Sequence, residues 1–226
     1  SFYKSGIPGF VGGLFLAIGF VAYVFAMYTT TVANTNFIIT TETIFLALFG
    51  YFFLKEKINF ITFSSIILGM IGVSIILGSS LSIQTSDQYL GNIVAFIMPI
   101  SFAVLVMVIR KYPKVDMIPA QFTAGVVAAL IGFFIVEKIF ISPHDLFLAF
   151  LAGFFQIGFG FILITIGSQT TPAAVVGILM LTESIFGPLW AWLFINETPP
   201  IGVLIGGVII IFSILFQSIM NKNPEK

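Results

Sequence analysis

Long apolar runs separated by short polar connections fill most of the 226-residue chain. Each run is about 20 residues long, the length that an α-helix needs to cross the hydrocarbon core of a bilayer. Three long stretches, residues 5–41, 58–86 and 146–182, contain no Asp, Glu, Lys, Arg or His. The pattern therefore predicts an all-α, polytopic membrane helical bundle with eight spans, numbered here in chain order. The spans cover residues 10–28, 34–54, 60–80, 91–110, 117–136, 146–167, 173–194 and 201–219.

A shift of 141 residues aligns spans 1 to 3 with spans 6 to 8. Residues 41–45, Thr-Glu-Thr-Ile-Phe, then lie over residues 182–186, Thr-Glu-Ser-Ile-Phe. Ten of thirty positions are identical between residues 28–57 and 169–198, without a gap. Such self-similarity at a fixed period indicates that the chain arose by duplication.

The duplication defines two repeats, residues 1–86 and residues 87–226. The second repeat contains five predicted spans, whereas the first contains three. We therefore expect eight helices of a ten-helix fold, with the counterparts of spans 4 and 5 absent from this sequence. Because five is an odd number, the second repeat must enter the membrane from the opposite side, so the repeats are predicted to be inverted.

Lysine and arginine are distributed unevenly between the two sides that this topology defines. Only Lys138 lies on the side that contains the connection between spans 5 and 6. The positive-inside rule predicts that the other side, which carries both ends of the chain, is cytoplasmic. The expected location is thus the cytoplasmic membrane. Eight basic residues lie on the predicted cytoplasmic side: Lys4, Lys55, Lys57, Arg110, Lys111, Lys114, Lys222 and Lys226.

Composition agrees with a membrane protein and excludes several other classes. Hydrophobic residues make up 59% of the chain, charged residues make up 8%, and the mean hydropathy is +1.16. A formal net charge of zero leaves no basic surface for nucleic acid. Because the chain has no cysteine and only one histidine, His144, it cannot build a thiolate or multi-histidine metal site. The sequence implies no cofactor and no metal.

Glu42 and Glu183 are the only acidic residues deep within predicted spans. A charged side chain at the centre of a membrane helix costs about 2.5–3.5 kcal/mol. No Lys or Arg lies inside a span to pair with either glutamate. Each is therefore expected to be protonated, hydrogen-bonded by a neighbour such as Thr41 or Thr182, or open to a water-filled cavity. Both a functional and a structural role stay open, because a gate and a packing contact can each require the same residue in both repeats.

Positions at which the repeats differ are better candidates for recognising an asymmetric solute. Several polar or large aromatic residues lie mid-span and align with a residue of different chemistry in the other repeat. Ordinary helix packing and an aromatic belt at the membrane interface are the competing explanations. With the two glutamates, the candidates for lining a cavity are Tyr23, Asn36, Thr40, Gln156 and Trp190.

Two further features lie at helix ends and on helix faces. Glu56 and Glu197 stand between consecutive spans, where an acidic side chain is expected to cap a helix N-terminus. Small residues form one face of span 3 and one face of span 8, and such faces allow helices to approach closely. They serve either packing within the chain or a homodimer. These small residues are Ser65, Gly69, Gly72, Gly202, Gly206 and Gly207.

Two sets of motifs occur in the same order in the two repeats. The first comprises residues 28–34 (YTTTVAN), Glu42, Glu56 and residues 68–73 (LGMIGV), and the second comprises residues 169–174, Glu183, Trp190, Glu197 and Gly206-Gly207. In this order, these motifs resemble the EamA domain of the drug/metabolite transporter superfamily, and the resemblance covers nearly the whole chain. The sequence lacks the first two helices of that family, and Ser-Ile-Phe follows Glu183 where many members have proline soon after the glutamate.

The resemblance implies two inverted five-helix repeats around a central cavity and transport by alternating access. It implies amino acids, other metabolites or drugs as the small-molecule substrates, with export as the usual direction. Two other functions stay open. One is a non-transporting helical scaffold or assembly subunit. The other is an intramembrane enzyme, which is disfavoured because no His or Cys accompanies the two deep glutamates and no Gly-x-Gly-Asp motif occurs.

Overall fold

The computed structural model describes residues 2–78, 86–135, 141–196 and 201–220. These residues form α-helices and one π-helical segment, with no strand among them. The prediction of an all-α fold is confirmed. The helices are α1 (Phe2–Thr29), α2 (Val32–Thr40), α3 (Glu42–Leu54), α4 (Phe60–Gly78), α5 (Ser86–Ala95), α6 (Ile97–Lys111), α7 (Ile118–Ile135), α8 (Pro143–Leu151), the π-helical segment (Ala152–Phe159), α9 (Gly160–Ser168), α10 (Ala173–Met180), α11 (Glu183–Ile195) and α12 (Ile201–Met220).

Many of these helices are apolar over a length that can cross a membrane. Two shorter apolar helices cover Phe60–Ile76 and Ala173–Phe186. The chain is therefore a polytopic helical membrane protein, as predicted, while the number of spans stays a prediction. In the described part of the chain, six helices reach spanning length: Ser5–Thr29, Asn34–Leu54, Gln88–Lys111, Ile118–Ile135, Pro143–Ser168 and Ile201–Met220.

Helix bounds recur at the period of the sequence repeat. Helix α3 begins at Glu42 and α11 begins at Glu183, and the two helices have the same length. The residues that follow them, Lys55 and Asn196, are both left-handed, with φ of 56° and 58°. A positive φ is uncommon for residues other than glycine, so the shared conformation is a specific similarity between the two helix ends.

Helices α4 and α12 form the most extensive helix–helix contact in the described residues. A Cβ atom placed on Gly72 would lie 2.8 Å from the carbonyl oxygen of Gly206, and a Cβ atom on Gly206 would overlap the carbonyl oxygen of Gly72. The absence of side chains at both positions is what lets the two backbones touch. The predicted small-residue faces therefore pack against each other within the chain.

The largest buried cluster lies between α1, α3, α6, α7 and α10, around residues such as Leu46 and Phe102. Helix α1 packs against α6 and α7, and α3 packs against α6 and α10. By contrast, α8 and the π-helical segment contain no buried residue. The burial places α3, which begins at Glu42, inside the bundle. Lys138, Glu197, Lys222 and Lys226 lie outside the described residues, so the expected cap by Glu197 stays a prediction.

Candidate functional site

Each of the two deep glutamates follows a break in its helix. Thr41 lies between α2 and α3, and its hydroxyl donates a hydrogen bond of 2.5 Å to the carbonyl oxygen three residues earlier. Thr182 precedes α11 and makes the equivalent bond at 2.8 Å. Threonine bonds of this kind compete with the helical hydrogen-bond pattern and bend helices. As a result each glutamate is the first residue of a new helix, the end at which the helix dipole favours a negative charge.

The sequence suggested that Thr41 and Thr182 could hydrogen-bond the neighbouring carboxylates. Both hydroxyl groups instead donate to the backbone. Glu42 is only 5% exposed. Within the described residues, its carboxylate has neither a basic partner nor a hydrogen-bond donor. Of the alternatives considered from the sequence, a protonated carboxyl group and contact with water or solute stay open for Glu42.

Three of the predicted site residues, Glu42, Glu183 and Tyr23, carry ionisable side chains. They come from three helices, α3, α11 and α1. Glu42 is buried, Tyr23 is half-buried and Glu183 is exposed. Two carboxyl groups and a phenol without a basic partner among the described residues can bind a proton or a cationic group, and can hydrogen-bond a polar solute.

A close crossing of α3 and α10 fixes the position of Glu42. The neighbouring Thr43 is fully buried and donates a hydrogen bond of 2.9 Å to the carbonyl oxygen of Gly177. A Cβ atom on Gly177 would lie 2.7 Å from the Cα atom of Thr43, so only glycine allows this approach. Sequence analysis singled out neither residue as functional. The available signal was that Gly177, a glycine within span 7, aligns with Asn36 under the shift of 141 residues.

The remaining predicted site residues have separate surroundings in the described part of the chain. Thr40 donates to the carbonyl oxygen of Phe37 at 2.6 Å, and Asn36 is exposed on α2. Gln156 is exposed in the π-helical segment, a type of helix that often occurs at functional sites. Trp190 is exposed and stacks on Phe186, with 6.4 Å between ring centroids. Their place in a cavity stays a prediction.

A second polar site lies at the turn after α3. The Nε atom of Arg110 is 2.5 Å from Oε1 of Glu56. The other carboxylate oxygen of Glu56 accepts a hydrogen bond of 2.8 Å from the backbone N–H of Ala173. Glu56 does cap a helix, but that helix is α10 rather than α4, the next helix in the chain. The ion pair with Arg110 was not predicted, since 54 positions separate the two residues.

The fold and the unpaired acids in its apolar helices define a polytopic helical membrane protein with ionisable groups in its membrane segments, and such groups mark solute and ion pathways. The profile described as EamA-like transporter family matches residues 4–78 and 89–219. The chain belongs to this family, which confirms the resemblance seen in the sequence. The protein is a membrane transporter rather than an enzyme.

Curated relatives and a solved structure agree with this assignment. An "Uncharacterized transporter" from Clostridium kluyveri is 26% identical over 230 residues, which cover 97% of this chain and 74% of that protein. An "Uncharacterized transporter" from Methanothermobacter thermautotrophicus is 28% identical over 193 residues, covering 80% of this chain and 55% of that protein. A structure described as "Crystal structure of protein" covers 100% of this chain and 92% of its own, with a TM-score of 0.77. At 14% identity it supports the fold alone.

Proposed function

We propose that the protein moves small organic solutes, such as amino acids, other metabolites or drugs, outward across the cytoplasmic membrane. The observation that carries the proposal is the presence of two glutamates, Glu42 and Glu183, in apolar helices, without a basic partner among the described residues. Ionisable groups inside a membrane are costly, and those that persist face a pathway or a binding site. A scaffold has no need for them.

The proposed mechanism is alternating access between two inverted repeats, residues 1–86 and 87–226. The matching bounds of α3 and α11 and the two matching left-handed residues support the duplication. Transporters with inverted repeats bind their solutes near the bilayer midplane, where helices of both repeats are interrupted. Thr41 and Thr182 interrupt the helices next to the two glutamates, which supports a binding site there.

Recognition of the solute is assigned to residues that are not repeated. Tyr23, Asn36, Thr40, Gln156 and Trp190 have no identical counterpart at the equivalent position. An asymmetric solute needs different contacts on its two sides, whereas the glutamates supply the same group twice. The proposed division is therefore recognition by the differing residues and proton-dependent gating by Glu42 and Glu183.

The proposed orientation has the C-terminus in the cytoplasm, because eight of nine basic residues fall on that side. The contact between Glu56 and Arg110 agrees with it, since both residues belong to the predicted cytoplasmic side. In this orientation, the proposed export cycle begins with the solute pathway open at the cytoplasmic end.

A retention assay on a broad solute panel tests the proposal. Cells that express the full-length protein as encoded are loaded with labelled amino acids, nucleosides and cationic drugs, and the loss of label is compared with empty-vector cells. The double variant Glu42→Gln/Glu183→Gln is the inactive control, and Asp145→Asn, an exposed acid at the start of α8, is the matched control. We expect faster loss of at least one solute in the parent and in Asp145→Asn only. A chain that moves no solute, with the same amount in the membrane, would favour the scaffold.

A further inference from the structure

A charged contact joins the two halves of the chain at one end of the bundle. Glu56 follows α3 in the first half, while Arg110 lies in the last turn of α6 and Ala173 begins α10 in the second half. The carboxylate of Glu56 bonds to both partners, and Arg110 also donates to the carbonyl oxygen of Gln169 at 3.4 Å. The side chains of Arg110 and Glu56 are 19% and 17% exposed. One glutamate therefore holds the ends of two helices that belong to the opposite half.

The local backbone directs Glu56 towards these partners. Lys55 is left-handed and reverses the chain, so that the N–H of Glu56 donates to the carbonyl oxygen of Gly50 at 3.0 Å. A Cβ atom on Gly50 would lie 3.0 Å from Oε2 of Glu56 and 3.2 Å from Cβ of Ala173. The lack of a side chain at Gly50 thus makes room for the carboxylate between the end of α3 and the start of α10.

The repeats cap their equivalent helices in different ways. Helix α2 is capped by its own Thr31, whose hydroxyl accepts a hydrogen bond of 3.1 Å from the N–H of Asn34. Helix α10 has Pro172 at that position, without a side-chain cap, and depends on Glu56 from the other half. A separation of the two halves would leave the cap of α2 in place and would break the cap of α10.

We propose that Glu56 and Arg110 form a latch that holds this end of the transport pathway closed and opens when the two halves move apart. The proposal rests on the alternating-access function proposed above. A charge-assisted hydrogen bond is among the stronger polar contacts in a protein, and partial burial strengthens it further. Because both side chains keep some exposure at the end of the bundle, water can solvate them once they separate. The latch is therefore strong when closed and can still be broken.

Water access to a cysteine behind the latch tests this directly. Val176 lies one turn after Ala173 on α10, is 7% exposed and belongs to the same buried cluster as Leu46. Since the chain has no cysteine, Val176→Cys provides a single thiol in the full-length protein. A maleimide reacts with the thiolate, which forms only where water reaches the thiol. The membrane-permeant N-ethylmaleimide makes the readout independent of orientation.

We expect Glu56→Gln and Arg110→Gln each to raise the modification rate of Cys at position 176 by about tenfold, the scale expected for losing a hydrogen bond between charged groups. The exchange Glu56→Arg/Arg110→Glu should restore part of the protection, because it restores the ion pair. Asp116→Asn, an acid at the same end that, among the described residues, accepts only the N–H of Ile118 at the start of α7, is the matched control and should leave the rate unchanged. Glu56→Asp, which keeps the charge but shortens the side chain, replaces Glu56→Gln if that variant does not fold.

An unchanged modification rate in folded Glu56→Gln and Arg110→Gln proteins would overturn the latch. The assay needs no solute, so its result separates the two proposals. If Glu56→Gln and Arg110→Gln raise the modification rate at position 176 but the parent moves no solute, the result supports the latch and counts against the transport proposal. If the parent moves solute but the two variants leave the modification rate at position 176 unchanged, the transport proposal stands and the latch is contradicted.

Discussion

At the scale of single residues, the two deep glutamates occupy equivalent sequence positions but have different surroundings. Glu42 is 5% exposed because α6 and α10 cover α3, whereas Glu183 is exposed on α11, which contacts α12. Within the described residues neither carboxylate has a basic partner. A buried acid with no compensating contact destabilises the fold. The presence of the buried Glu42 therefore calls for a functional explanation.

Replacing Glu42 separates function from stability. Glu42→Gln keeps the shape of the side chain without the charge, and Glu42→Leu removes the polar group. We expect both to leave the free energy of unfolding unchanged or to raise it, by at most about 3 kcal/mol, since an unpaired buried acid is removed. Thermal unfolding in detergent measures this. A clear fall in the melting temperature of Glu42→Gln would mean that the carboxylate is a structural contact.

At the scale of helices, the contact between α4 and α12 is glycine-rich at one end and polar at the other. Ser213 donates to the carbonyl oxygen of Ser65 at 2.6 Å, and Gln217 donates to Thr62 at 3.1 Å. Under the repeat, Ser65 corresponds to Gly206 and Ser213 corresponds to Gly72. The two ends of one pseudo-symmetric contact have thus diverged, one towards backbone contact and one towards hydrogen bonding.

The glycine end of this contact predicts opposite effects for two identical substitutions. Gly206→Ala places a methyl group against the backbone of Gly72 and should destabilise the protein by about 1–3 kcal/mol. Gly125→Ala, on α7 with no atom within 4 Å of the added carbon, should be neutral or stabilise by about 0.5–1 kcal/mol. The melting temperatures of both variants, measured in detergent, test this prediction. Equal melting temperatures would contradict the assigned packing.

The helical fold was predictable because apolar runs of spanning length have few other solutions in a membrane. The duplication stays a prediction, which rests on a sequence repeat that keeps its register without a gap. The helix break at Thr41 was not predicted, since a threonine hydroxyl can bond to the backbone or to a neighbouring side chain. The Glu56–Arg110 pair and the contact of Thr43 with Gly177 depend on how distant helices cross, and periodicity along the chain carries no information about that.

At the scale of the whole molecule, polar contacts join the first and second halves at opposite ends of the helices. Thr30, after α1, donates to Asn92 of α5 at 2.7 Å, while Glu56 contacts Arg110 at the end of α6. The proposed topology assigns these contacts to the outer and cytoplasmic sides. A transporter with alternating access opens one end at a time, so the proposed mechanism predicts that one of these contacts breaks in each open state.

Single cysteines test the orientation. Lys57→Cys and His144→Cys lie at exposed positions on predicted opposite sides, and the chain contributes no other thiol. An impermeant maleimide applied to intact cells should modify position 144 and spare position 57, because the basic residues are predicted to stay inside. Permeabilised cells serve as the control, in which both positions should react. Equal reaction at both positions in intact cells would refute the orientation.

The central claim is that Glu42 and Glu183 are the proton-dependent groups of a transporter, and solute flux measured against pH tests it most directly. The flux of a solute found in the retention assay is compared in membrane vesicles for the parent, Glu42→Gln and Glu183→Gln, at equal amounts of folded protein. Coupling between two bound ligands is typically about 1–3 kcal/mol, or about 5–150-fold, so each variant should lose at least about fivefold in flux and lose the pH dependence of the parent. Two Gln variants that transport normally and respond to pH like the parent would contradict the claim.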